Sequence, residues 1–149
     1  LRRVVAAMGF GRNGTPEPSP GSAPNAHMIT LLNEFSCSDG DYFPYFFREY
    51  KLGPLMGKRS WGGVVGIGGM DQLADGGYYT VPEGGIFNLQ GEWVMENIGV
   101  YPDVEVDNLP DRTALGYDDQ LTAAIEYIKA RLKEDPKTLP TTIGPPTPR

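Results

Sequence analysis

A short apolar run that stops at a polar turn and then gives way to helical spacing constrains this chain more than any other feature. Met28-Ile29-Thr30-Leu31-Leu32 is apolar almost throughout, the pattern of a strand covered on both faces, as in a parallel sheet. Asn33 to Asp41 makes the turn. Phe43, Phe46, Phe47 and Tyr50 then recur at i, i+3, i+4 and i+7, one face of a helix ending near Leu52-Gly53-Pro54. The unit predicts an α/β fold, with a sheet flanked by helices. Pro44 complicates the start, because a proline beyond the first turn clashes with the carbonyl four residues back. Either the helix starts later than Ser38 or its first turn is irregular.

Leu1 to Ala7 reads as the end of a helix or strand, and Gly9 to Ala26, rich in Gly, Pro, Ser and Asn, as a long loop or linker. Beyond the first helix, Gly62 to Ile67, Gly76 to Pro82, Gly85 to Leu89 and Trp93 to Met95 read as short strands punctuated by glycine. Tyr101 to Val106 alternates like an edge strand. Asp118 to Glu134 is the clearest helix, with Leu121, Ile125, Ile128 and Leu132 as its apolar stripe. Lys137 to Arg149 reads as an extended Pro- and Thr-rich tail. The expected organisation is an upstream segment and loop over 1–26, a domain over 27–134 and a tail over 135–149.

Composition removes several functions. With 149 residues the chain suits one domain, and its net charge of −6, with no basic stripe, argues against nucleic acid as a partner. One cysteine excludes an internal disulfide and a Cys-based zinc site. Carboxylates scattered without histidines suggest no transition-metal site, and no cofactor motif is present: the glycine run after Trp61 lacks both the dinucleotide and the phosphate-loop order. No apolar run approaches the ~18 residues of a membrane span. Leu1 to Phe10 resembles a signal peptide only superficially and reads as the continuation of something upstream. The compartment stays open between cytoplasm and periplasm, and a homo-oligomer stays compatible with the chain.

Ser38 stands where the strand turns into the helix, a good place for a nucleophile. The turn exposes it, and the Asp39 N–H is placed to help stabilise an oxyanion. The plainer reading is that Ser38 caps the helix while Asp41 imitates a capping box. Cys37 reads as a buried small hydrophobe. His27, the only histidine, reads as a strand-entry residue. The strand's length at ~3.3 Å per residue keeps it from serving Cys37 or Ser38 as a base. Glu96 is either an ordinary exposed carboxylate or the group that orients a histidine or bridging hydroxyl. Gly62, Gly63 and Val64 either let a strand bend or let an extended peptide lie close and pair with the backbone.

Three blocks, in order, resemble a known family. Asn33-Glu34-Phe35-Ser36-Cys37-Ser38-Asp39-Gly40-Asp41 resembles the nucleophile segment of tricorn-type peptidases, relatives of the tail-specific processing peptidases. Lys51 to Ile67 and Glu96 to Val106 resemble the two blocks that follow, and the Asp118 to Leu132 helix fits the family's C-terminal helix. The resemblance implies a ClpP/crotonase-like core, present in part, and serine endopeptidase activity on peptides or unfolded segments. It implies a Ser-His-Ser-Glu tetrad in which Ser38 is the nucleophile, Asp39 N–H one oxyanion donor, and Glu96 the glutamate. The histidine, its serine and a second oxyanion glycine lie upstream in the family and match nothing in this chain, so the chain alone is expected to be inactive. The alternatives are a non-catalytic peptide-binding domain of the same fold and a crotonase-like hydratase or esterase.

Overall fold

The computed structural model describes residues 4–9 and 14–140. Contacts divide the chain into two units, Met28–Tyr127 and the segments on either side of it, and the division falls inside the last helix. In the smaller unit, β1 (Ala6–Met8) pairs antiparallel with β2 (Glu17–Ser19), so the stretch read as loop contains a strand. Residues 10–13 of that stretch lie outside the described residues, as does the tail from 141. His27 Nε2 lies 2.8 Å from the carbonyl oxygen of Asp135. The hydrogen bond from Lys137 holds the Asp135 carboxyl below its usual range, with a smaller contribution from His27.

The larger unit is built around a parallel strand–helix–strand. β3 (Thr30–Leu32) leads through the turn into α1 (Asp39–Glu49), and the chain returns as β4 (Leu55–Gly57). Strands β3 and β4 pair in parallel, Leu31 opposite Met56. The edge strand expected near Tyr101 forms as β7 (Val104–Glu105), parallel to the other side of β4. Leu32, Phe47, Leu55, Val64, Met95 and Val100 make the buried core. These six aliphatic, aromatic and sulfur side chains come from two strands, a helix and two loops, so the loops are as much part of the core as the sheet.

Helix α1 begins at Asp39 with Pro44 inside it, at the cost of the bond to the Gly40 carbonyl. Its buried face is Asp41, Pro44 and Phe47. The aromatic stripe expected to share one face does not go inward together: Phe43 is 61% and Tyr50 64% exposed, against 5% for Phe47. Strand β3 is likewise covered on one side only, with Leu31 exposed between buried Thr30 and Leu32.

The glycine-rich middle departs most from expectation. Gly62 to Val65 is irregular, and β5 (Gly66–Gln72) starts later and forms a hairpin with β6 (Tyr78–Gly84). Nearly every residue of that hairpin is exposed. The two strands expected after it shrink to one bridge between Phe87 and Trp93. A short helix the sequence did not announce, α2 (Pro110–Ala114), precedes α3 (Asp119–Glu134). The Arg112 guanidinium from α2 grips Asp119 with contacts of 2.5 and 2.6 Å, which holds that carboxyl below its usual range. On α3 Gln120 and Ala124 are buried, while Leu121, Ile125 and Leu132 of the expected stripe are exposed. Among the described residues no helix is long and apolar enough to cross a membrane, and no group of three potential metal ligands converges.

Candidate active site

Ser38 occupies a strained turn. Its backbone lies at φ 54, ψ −113, a region L-residues avoid at a cost of about 1–3 kcal/mol. Its side chain is exposed and makes no capping bond, so the plain capping reading fails. The turn is held from outside the helix. The Ser38 N–H donates to the Gly63 carbonyl at 3.2 Å, and the Trp61 N–H to the Ser36 carbonyl at 2.9 Å. Ser36 Oγ and the Asn33 side chain close the preceding bend on the N–H groups of Asn33 and Phe35. Among the described residues the Asp39 N–H donates to no acceptor. An unengaged N–H at a helix N-terminus, next to an exposed hydroxyl, suits a developing negative charge.

Cys37 is exposed rather than buried, because the sharp turn at Ser38 carries its neighbour to the surface as well. The thiol and the hydroxyl are adjacent in sequence, and the strained backbone belongs to the serine.

Asp41, expected to fold back and imitate a capping box, turns inward instead and is completely buried. Its Oδ1 accepts from Ser60 Oγ at 2.5 Å and from the Gly62 N–H at 2.8 Å; its Oδ2 accepts from the Gly63 N–H at 3.3 Å. Ser60 Oγ in turn accepts the Val100 N–H at 2.7 Å. Neither Asp41 nor Ser60 was singled out by the sequence for this role. The local pattern Ser-x-x-Asp signals a helix start whichever way the carboxylate points.

Glu96 is half-buried, not an ordinary solvated carboxylate, and Oε2 accepts the Val64 N–H at 2.7 Å. Positive φ angles at Met95 and Asn97, 70° and 59°, shape the loop that presents it. The carbonyl of Gly63 and the N–H of Val64 belong to one peptide group. That single peptide plane joins the two expected site residues, taking the Ser38 N–H on one side and giving its own N–H to Glu96 on the other. The preceding peptide does the same between the Asn97 N–H, which meets the Gly62 carbonyl at 2.8 Å, and Asp41. Tyr42 Oη donates to the Val64 carbonyl at 2.9 Å. All three N–H groups of Gly62, Gly63 and Val64 are therefore committed within the chain, and pairing with an extended peptide would have to displace them.

Comparison with known proteins gives one consistent result. The sequence pattern of peptidase family S41 matches residues 8–106. The chain is 40% identical over 129 residues to the tricorn protease of Thermoplasma volcanium, covering 87% of this chain and 12% of that protein. It is 39% identical over 144 residues to tricorn protease homolog 1 of Streptomyces coelicolor, covering 96% of this chain and 13% of that one. The crystal structure of the tricorn protease superposes with a TM-score of 0.79 at 35% identity, over 89% of this chain and 13% of that chain. The chain thus spans about an eighth of the length of the curated relatives it matches.

Proposed function

Because the chain belongs to peptidase family S41, we propose that it carries the nucleophile side of a serine endopeptidase site within a ClpP/crotonase-like core. The substrates are peptides or unfolded chain segments. Ser38 Oγ attacks the scissile carbonyl carbon and gives its proton to a histidine, and the Asp39 N–H helps hold the oxyanion. Collapse of the tetrahedral species releases the amine with that proton, and water then cleaves the acyl–Ser38 ester. Glu96 supports the histidine from behind through a second serine. Histidine, second serine and second oxyanion donor come from residues other than those of this sequence. Gly62, Gly63 and Val64, for which the sequence leaves strand bending and peptide pairing both open, act here as positioning residues, since their N–H groups already serve Asp41 and Glu96.

One observation carries this reading: the strained Ser38 turn with its exposed hydroxyl beside an unengaged Asp39 N–H. A cap needs no such strain; a nucleophile that must project from a sharp turn does. The test compares the full-length protein with its Ser38→Ala variant under a fluorophosphonate probe. Labelling of the wild type alone is expected. Equal labelling of both, or none of the wild type, overturns Ser38 as nucleophile and favours a non-catalytic domain of the same fold. The chain of 149 residues by itself is expected to hydrolyse peptides at a rate several orders of magnitude below the full protein, measurable with a fluorogenic peptide.

A further inference from the structure

Asp41 is a buried carboxylate with no cation against it among the described residues. A charge so placed is costly to desolvate unless donors satisfy it. Three do, and the N-terminal end of α1 adds its favourable field. Neighbours on the same helix face, Pro44 and Phe47, are apolar. Packing alone would be served by an apolar side chain at position 41. The donors indicate what the carboxylate adds. Gly62 and Gly63 lead directly into the peptide group that binds the Ser38 N–H and Glu96, and Ser60 passes the contact on to Val100, four residues beyond Glu96.

We propose that Asp41 is a positioning residue for the reaction. Through the Gly62–Gly63 segment it fixes both the backbone of Ser38 and the carboxylate of Glu96. The proposal rests on the reading of Ser38 as nucleophile. A closed ring of bonds carries it: Ser38 to Gly63, Gly63 to Asp41, and Asp41 back through one turn of α1 to Ser38. On the far side Glu96 grips the next N–H. Two carboxylates thus hold consecutive peptide groups, and chained hydrogen bonds of this kind polarise and strengthen one another. A shift of the segment moves the nucleophile and Glu96 together.

Asn at position 41 keeps the volume and changes the chemistry at one place. With its oxygen on Ser60 and Gly62, its NH2 faces the Gly63 N–H, two donors in opposition. The experiment uses the full-length protein as wild type, Asp41→Asn and Ser60→Ala. It measures the second-order rate of fluorophosphonate labelling at Ser38, the final stoichiometry of labelling, and kcat and KM on a fluorogenic peptide. For Asp41→Asn the labelling is expected to reach the wild-type stoichiometry about 10- to 100-fold more slowly. Its kcat falls in the same proportion, with KM within about 2-fold. A rate equal to wild type overturns the role. A lowered stoichiometry with an unchanged rate per labelled site also overturns it, because that pattern marks a contribution to folding alone. Should Asp41→Asn fail to fold, Ser60→Ala retains the carboxylate and both glycine bonds. It is expected to label fully and about 3- to 10-fold more slowly, a smaller displacement of the same geometry; a wild-type rate there overturns the proposal. An unlabelled wild type strikes down the nucleophile reading and this role with it, whereas a labelled wild type with unaffected variants strikes down only the role of Asp41.

Discussion

Gly62 and Gly76 share one backbone angle, φ +87, in surroundings that have little else in common. Gly62 is threaded between helix α1 and the loop that presents Glu96. A Cβ there would stand 2.5 Å from the Gly99 nitrogen and 2.9 Å from the Met95 carbonyl oxygen, all backbone. Gly76 turns the β5–β6 hairpin, and a Cβ there would meet nothing within 4 Å. Around Gly62 every N–H is claimed; around Gly76 the strands bond to one another and leave their side chains in water. The same residue type thus does two jobs. One glycine removes bulk so that two segments can touch, and the other only permits a turn.

That contrast is open to measurement. Gly62→Ala has the largest expected effect, about 2–5 kcal/mol of lost stability, the left-handed penalty added to overpacking against backbone that cannot rotate away. Urea denaturation of the chain reads it. Gly76→Ala carries only the backbone penalty, partly offset by a stiffer unfolded chain, and is expected to cost about 1 kcal/mol. Equal costs at the two sites would break the comparison. The smallest effect is expected from a third site, the Arg112–Asp119 pair, whose geometry is good but which faces water. Its Asp119 carboxyl is held below the ordinary range by the guanidinium. The stability it adds is fully present above the unfolded-state value of about 3.9 and is lost as pH falls through the lower folded-state value. The difference in urea midpoint between wild type and Asp119→Asn is therefore small near pH 6 and shrinks further as the pH falls below the unfolded-state value.

The strand–turn–helix, the strand near Val104 and α3 were legible because apolar runs, alternation and 3.6-residue periodicity act locally; the central strand β4 was not read as one. That the chain turns sharply at Ser38 between strand and helix was legible, and the resemblance to a family segment is what pointed to Glu96. What was hidden has a common cause. Whether Asp41 folds back on its own helix or reaches into the core depends on where residues 60–63 pass, and no local pattern records that. The same holds for Cys37, which was expected to be buried on residue-type preference alone and surfaces with the turn. The aromatic stripe of α1 misled for a related reason: Asp41, Pro44 and Phe47 were drawn inward, and the helix cannot bury both rows. The glycine run looked like a strand because alternation and glycine spacing say nothing about bonds to a distant carboxylate. The acidic balance was plain to see. No Lys or Arg lies between Arg59 and Arg112, which leaves the hairpin and the Glu96 loop without a basic residue of their own.

The turn at Ser38 has a consequence for how this protein tolerates change. Glycine would occupy φ 54, ψ −113 without strain, and would delete the hydroxyl. At this one position the residue best suited to the backbone and the residue needed by the proposed chemistry are different. A selection for thermal robustness alone would therefore favour replacing Ser38, so stabilised variants obtained without an activity screen should be sequenced at this position first.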